Sequence, residues 1–242
     1  MNPAELVLPF FLVALMYAAV GHAGASGYIA VMTLWGFLPE EIKPTALCLN
    51  IVVALIASYR YYRAGHFSFR LFWPFAVTSI PLAFLGGYVE IDGRILKWIL
   101  GFALLIAAAG ILWRRKEVNV LADPPAMTKQ LGIGAALGFV SGLTGVGGGI
   151  FLSPLLIYLR WSSLKTTAAV SALFILVNSA AGLAGHLGSL QHVPEGIAWW
   201  IPAVVAGGAI GAWQGSTKLS SLYIRIALMI VLVIAGAKML FG

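Results

Sequence analysis

The feature that most constrains the fold is a series of long segments without a charged residue. These uncharged runs cover residues 6–39, 44–59, 71–89, 98–113, 131–159, 166–194, 197–217 and 226–237. A helix needs about 20 apolar residues to cross a bilayer, so several runs match single spans and the longest could hold two short ones. Only 10% of the 242 residues are charged and 61% are hydrophobic. These are too few polar side chains to cover the surface of a soluble protein. The sequence therefore predicts an all-α polytopic membrane protein whose partner is the lipid bilayer.

Several other classes are excluded by the same composition. The net charge is +7, but basic residues cluster only at 114–116, so no nucleic-acid partner is expected. The start lacks a basic segment typical of a cleaved signal, so the first run is expected to be retained. The lone Cys48 cannot form an intrachain disulfide. The chain has no phosphate-loop motif, and we expect neither a cofactor nor a metal.

An internal repeat divides the chain into two copies. The segment GHAGASG at 21–27 aligns with GLTGVGG at 142–148, and the tripeptide AGH at 64–66 recurs at 184–186. IPLAFLGG at 80–87 likewise recurs as IPAVVAGG at 201–208. Colinear repeats of this kind are typical of transporter folds. We predict a first transmembrane repeat at 1–113, a cytoplasmic linker at 114–129 and a second repeat at 130–242.

The distribution of basic residues indicates how the copies are oriented. If the runs 6–39 and 131–159 each cross once, Lys and Arg divide almost evenly between the two sides. If each run instead enters and returns, all but four of the 15 basic residues lie on one side; the four are Lys43, Arg94, Lys97 and Lys238. The positive-inside rule favours this second model. It predicts two inverted repeats, each a glycine-broken hairpin plus three transmembrane helices, with both termini outside.

The glycine clusters form the tips of these predicted hairpins. Their arms are 4–20 and 28–38 in the first copy, and 131–142 and 149–159 in the second. An arm of 12 residues rises only about 18 Å, less than the hydrocarbon core of roughly 30 Å. We therefore expect the tips near the bilayer midplane, where backbone groups must find partners in protein or ligand because lipid offers none.

A helix that restarts after such a break can bind an anion without a formal charge. Its free N–H groups and the positive end of its dipole point at the break, and inverted copies would bring two such ends together. No Asp or Glu lies deep in a span, which argues against a carboxylate-driven cation cycle. The alternative is that glycines serve close helix packing, and we prefer it for Gly86–Gly87 and Gly207–Gly208.

The candidate binding residues lie at the breaks or are polar groups within the spans. His22 is the deep group that titrates near neutral pH, although a lone histidine also serves as a neutral hydrogen-bond partner. Hydroxyls and amides offer neutral hydrogen bonds. The candidates are His22, Gly24, Ser26, Gly27, Asn50, Gly145, Gly147, Gly148, Gly149, Ser153, Thr167, Ser171 and Asn178.

The motif GLTGVGGGIFLSPLL at 142–156, together with 21–27 and the two-repeat layout, resembles the sulfite exporter TauE/SafE family over essentially the whole chain. The resemblance implies a permease of the inner (cytoplasmic) cell membrane for sulfur-containing anions such as sulfite, sulfoacetate or related organosulfonates. The first copy carries Ala25-Ser26 where the second has Val146-Gly147. Substrate choice could turn on that difference.

Our functional hypothesis is export by alternating access, with one repeat rocking against the other around an anion held between the tips. A passive anion channel is the closer alternative, because the same tips could line a pore. An intramembrane serine protease of the rhomboid type would need Ser26 beside a histidine such as His186. Against it, Ser26 aligns with Gly147 and the AGH tripeptide occurs in both copies. The sequence leaves open whether the chain forms a homo-oligomer.

Overall fold

The computed structural model describes residues 3–89, 126–186 and 193–241, together with the single positions 98, 101, 102, 104, 105, 108 and 109. All regular elements in these residues are helical, which confirms the predicted all-α class. A 3₁₀ turn over Pro3–Leu6 precedes α1 (Val7–Ala18), α2 (Ala25–Leu34), α3 (Pro39–Arg63), α4 (Phe69–Tyr88), α5 (Met127–Thr144), α6 (Gly149–Tyr158), α7 (Leu164–Gly185), α8 (Ile197–Trp213) and α9 (Ser221–Phe241). A π-helical turn over Gln214–Lys218 extends α8. Most of the predicted span 98–113 and of the predicted linker 114–129 lies outside the described residues.

Within the described residues, five helices are long and apolar enough to cross a membrane. They are Glu40–Arg63, Phe69–Tyr88, Leu164–Gly185, Ile197–Lys218 and Ser221–Lys238. The outer faces of the helices are also apolar, as shown on α1 by Leu8, Leu12 and Met16, which are 64%, 45% and 41% exposed. Residues four apart share one helix face, so these side chains form a stripe suited to lipid. The chain is therefore a multi-pass membrane protein.

The helices α1 and α2 form a hairpin. The rings of Phe10 and Tyr28 lie 5.3 Å apart, and the hydroxyls of Tyr17 and Ser26 lie 2.8 Å apart nearer the turn. Trp35 follows α2, yet it lines the same cavity as Pro3, which precedes α1. Both open ends of this hairpin consequently lie at the same face of the protein.

The helices α5 and α6 also fold back on each other. Leu152 and Leu156 of α6 pack in one cluster with Ile133 and Leu137 of α5. The predicted arm at 131–142 is too short, because α5 has 18 residues and rises about 27 Å. Its first turn includes Met127, so the helix begins inside the segment predicted as linker. Gly147, in the break that follows α5, lies level with the middle of α3 and α7, because a Cβ there would meet Asn50 and Ile175.

Glycines allow each hairpin to pack closely on a helix of the other half of the chain. The helix α1 packs on α8, α5 packs on α4, and α3 packs on α7. A Cβ at any of the packing glycines would overlap a backbone carbonyl oxygen of the partner helix, so the two backbones touch. These glycines are Gly207, Gly211 and Gly215 against α1, and Gly134, Gly138 and Gly142 against α4. Close backbone contact of this type is typical of membrane helices.

The order of the glycine contacts gives the relative direction of the paired helices. Gly134 meets Phe75 and Gly142 meets Ala83, so the contacts on α5 and α4 advance together along the two helices. Gly207 meets Phe11 and Gly215 meets Ala19 in the same way. The first arm of each hairpin, α1 or α5, therefore runs parallel to the helix that it packs on.

Candidate functional site

The two glycine breaks depend on backbone conformations that only glycine adopts freely. Gly24, which precedes α2, has φ 99°, and Gly147 and Gly148, which precede α6, have φ 84° and 73°. Positive φ brings a Cβ too close to the following carbonyl oxygen in other residues. These conformations let α2 and α6 begin abruptly, so their unpaired N–H groups are not used up by a preceding helical turn.

Asn50, in the middle of α3, connects the two breaks. Its Oδ1 accepts a hydrogen bond of 3.1 Å from the backbone N–H of Ala25, the first residue of α2. Its Nδ2 donates to the hydroxyl of Ser179 on α7, at 2.9 Å. A Cβ on Gly147 would stand 2.6 Å from that Nδ2 and 2.8 Å from the Ser179 hydroxyl. The Asn50 amide thus lies between the start of α2 and the break before α6.

A second chain of hydrogen bonds joins the first break to α6. The Nε2 of His22 lies 2.8 Å from the hydroxyl of Ser153 in α6. Ser153 in turn donates to the hydroxyl of Ser171 on α7, at 2.7 Å. The backbone of Gly149, the first residue of α6, also adjoins the His22 ring. We call Ser153, Ser171, Ser179, Asn50 and His22 the polar cluster.

The polar cluster is buried and contains no acidic or permanently charged group. Its five side chains are at most 1% exposed, and they carry hydroxyl, amide and imidazole groups. Within the described residues, no group of three His, Cys, Asp or Glu side chains could hold a metal ion. Buried neutral donors beside two helix starts provide partners for a small anion and offer little to a cation.

The remaining sequence candidates lie beside the cluster or away from it. Ser26 bonds to Tyr17, and Thr167 bonds to Ser162 at the start of α7. The amide of Asn178 donates to the Phe174 carbonyl of its own helix. Among the other candidate glycines, Gly24 faces the phenol end of Tyr28 and Val13, Gly27 faces Val13, Gly145 faces the stem of Lys43, and Gly149 faces Ile175.

Two buried serines that sequence reasoning did not select also lie here. Ser179 binds the Asn50 amide, and Ser141 of α5 lies beside Gly148. Ser179 stands eight residues after Ser171, so helical spacing places both on one face of α7. That spacing could have identified Ser179, whereas no pattern in the sequence distinguishes Ser141.

Replacing Asn50 with Ala is expected to lower the stability of the folded protein by about 1–3 kcal/mol, because the Ala25 N–H and the Ser179 hydroxyl both lose a buried partner. Thermal unfolding in detergent measures the change. Asn178→Ala is the matched control, since its amide bonds only to its own helix, and it should unfold at a higher temperature than Asn50→Ala. Equal losses in the two variants would contradict the bridging role of Asn50.

The sequence is similar throughout its length to known membrane proteins. Residues 6–239 match the model of the family described as sulfite exporter TauE/SafE. A probable membrane transporter protein of Sinorhizobium fredii is 43% identical over 98% of this chain and 97% of its own length. Others from Methanocaldococcus jannaschii and Bacillus subtilis are each 24% identical, over 97% and 98% of this chain and 94% and 99% of their own lengths. No solved structure matches. The chain belongs to the sulfite exporter TauE/SafE family and is a membrane transporter.

Proposed function

We propose that the protein is a permease of the cytoplasmic membrane for small sulfur-containing anions, such as sulfite, sulfoacetate or related organosulfonates, and that they bind at the polar cluster. The observation that carries the proposal is the position of Asn50, which touches the start of α2 and faces the break before α6. An anion there would meet backbone N–H groups and the positive ends of two helix dipoles. The sulfur in the substrate rests on the family's description.

The inverted arrangement of the repeats forms part of this proposal. Its support is that α5 runs parallel to α4, whereas its counterpart α1 runs parallel to α8. If each hairpin returns to the side it came from, α1 and α5 enter from opposite sides of the membrane. Both chain termini then lie on the side with fewer basic residues, the outside.

The glycine contacts suggest which parts move during transport. Sliding α1 along α8, or α5 along α4, would drive backbone against backbone, so each pair is expected to move as a unit. One body then combines α1–α3 with α8, and the other combines α4 with α5–α7. The substrate would sit between them, because Asn50 lies on the first body and Ser179 on the second. In this scheme each moving body takes one helix from the other repeat, instead of one intact repeat rocking against the other.

The experiment that tests the function is anion flux into proteoliposomes that contain the purified protein. We expect saturable uptake of at least one of sulfite, thiosulfate, sulfoacetate and taurine, with sulfate as the further comparison. Outward movement of one negative charge is favoured by about 2.3 kcal/mol per 100 mV when the inside is negative, so export needs no other energy source. Accelerated exchange with the same anion on the opposite side would support a carrier. Single-channel currents would overturn it in favour of a passive pore.

The protease alternative gains no support from the contacts of Ser26. Its hydroxyl pairs with Tyr17, and His22 pairs with Ser153. A serine nucleophile needs a general base within hydrogen-bonding reach.

A further inference from the structure

The two helix starts at the polar cluster differ in what already occupies them. The first N–H of α2 donates to Asn50, so part of its anion-binding capacity is used within the protein. The start of α6 has Gly148 as its capping residue, and no side chain caps it. In the first turn of α6, the N–H groups of Gly149 and Phe151 donate to the carbonyl oxygens of Gly147 and Gly148. The N–H of Ile150 between them remains available to an anion.

An unsatisfied hydroxyl lies at the start of α6. Ser141, in the last turn of α5, is 1% exposed, and its Oγ has no hydrogen-bond partner. That Oγ would lie 3.3 Å from a Cβ on Gly148, so it lies beside the capping residue of α6. Buried hydroxyls are nearly always hydrogen-bonded in native proteins. An unbonded one at this position is what a site for a polar ligand requires.

The His22 ring lies at the same helix start. Its Nε2 bonds to Ser153, and the ring contacts the backbone of Gly149. Ser141 therefore lies beside Gly148 and His22 beside Gly149.

We infer that the transported anion is held at the start of α6, with the Ser141 hydroxyl as a direct ligand, while Asn50 serves to hold α2 in place. The inference rests on the proposed function and names which of the two helix starts beside the polar cluster binds the anion. The ligand class is a small oxyanion, such as sulfite or the sulfonate head of an organosulfonate. One of its oxygens accepts from Ser141, and a second accepts from the N–H of Ile150 in the first turn of α6.

The test is the kinetics of sulfite and sulfoacetate flux for Ser141→Ala in proteoliposomes. We expect KM for the transported anion to rise by about tenfold, as for loss of one hydrogen bond to a charged group, with the maximal rate changed less. Thermal unfolding without anion should match wild type, because the hydroxyl bonds to nothing in the protein. Ser141→Cys keeps nearly the same volume with a weak donor and should shift KM in the same direction.

The matched control is Ser79→Ala. Ser79 is also fully buried, but its hydroxyl bonds to the Ala76 carbonyl of its own helix, so KM should stay at the wild-type value. A wild-type KM in both Ser141 variants would overturn the inference while leaving the proposed function intact. A raised KM in Ser79→Ala equal to that in Ser141→Ala would overturn it as well. Absence of anion flux by the wild-type protein would instead refute the proposed function.

Discussion

Replacing Gly147 with Ala is expected to reduce anion flux by at least about tenfold, which corresponds to 1.4 kcal/mol or more. Gly147 has φ 84°, a conformation that costs other residues about 1–2 kcal/mol. The added methyl group would stand 2.6 Å from Asn50 Nδ2 and 2.8 Å from Ser179 Oγ. It must displace the amide that connects the two helix starts. Initial rates of anion uptake in proteoliposomes measure the loss.

Gly65→Ala is the matched control for this prediction. Gly65 also has positive φ, 76°, but a Cβ there meets nothing within 4 Å. The Gly65→Ala variant carries the same backbone strain but does not touch the polar cluster. Once the amount of folded protein is equalised, its flux should stay within about twofold of wild type, as for a surface change of ±0.5 kcal/mol. Equal losses in both variants would mean that strain, and not the cluster, limits transport.

Replacing Gly142 with Ala is expected to cause the largest loss of stability. The new Cβ would overlap the Ala83 carbonyl oxygen of α4, and a backbone atom in a packed helix cannot move aside as a side chain can. Overpacking typically costs about 1–3 kcal/mol, and a clash with backbone belongs at the upper end. A lower unfolding temperature and a smaller monodisperse peak after size-exclusion chromatography measure the loss.

Gly132→Ala on the same helix should have the opposite effect. A Cβ at Gly132 meets nothing within 4 Å, and Ala in a helix interior is more stable than Gly by roughly 0.5–1 kcal/mol. Replacing Gly with Ala is therefore expected to stabilise the protein at position 132 and to destabilise it at position 142, ten residues further along the same helix. Two variants of equal stability would contradict the close packing of α5 on α4.

Much of the fold could be predicted from the sequence, because lipid imposes a simple rule on it. Five of the uncharged runs became the apolar stretches of α3, α4, α7, α8 and α9. Glycines that no helix interior favours marked the breaks before α2 and α6. Family membership followed from the same glycine-rich segments and is confirmed by the match over residues 6–239.

The contacts between distant helices could not be predicted in this way. Gly207 and Gly208 were assigned to helix packing, but nothing in one sequence tells that Gly207 meets α1 of the other half. The length of α5 was missed because the polar residues Thr128 and Lys129 were assigned to a linker, although they form its first turn. Asn50 was selected as one polar residue among several. Its bridging position depends on how α3 and α7 cross, which periodicity does not encode.

The central claim is that the buried cluster between the two breaks is where the anion binds, and cysteine labelling tests it most directly. In a Cys48→Ala background, Ser179→Cys is treated in membranes with a negatively charged methanethiosulfonate. The anion that is transported fastest in the flux assay is added as protectant. Sulfite is not used for this purpose, because it cleaves disulfides. We predict slow labelling that the anion suppresses, while Ser220→Cys, at an exposed position, is labelled at a rate that the anion does not change. Labelling of Ser179→Cys that is unaffected by the anion, or no labelling while flux is intact, would contradict the account.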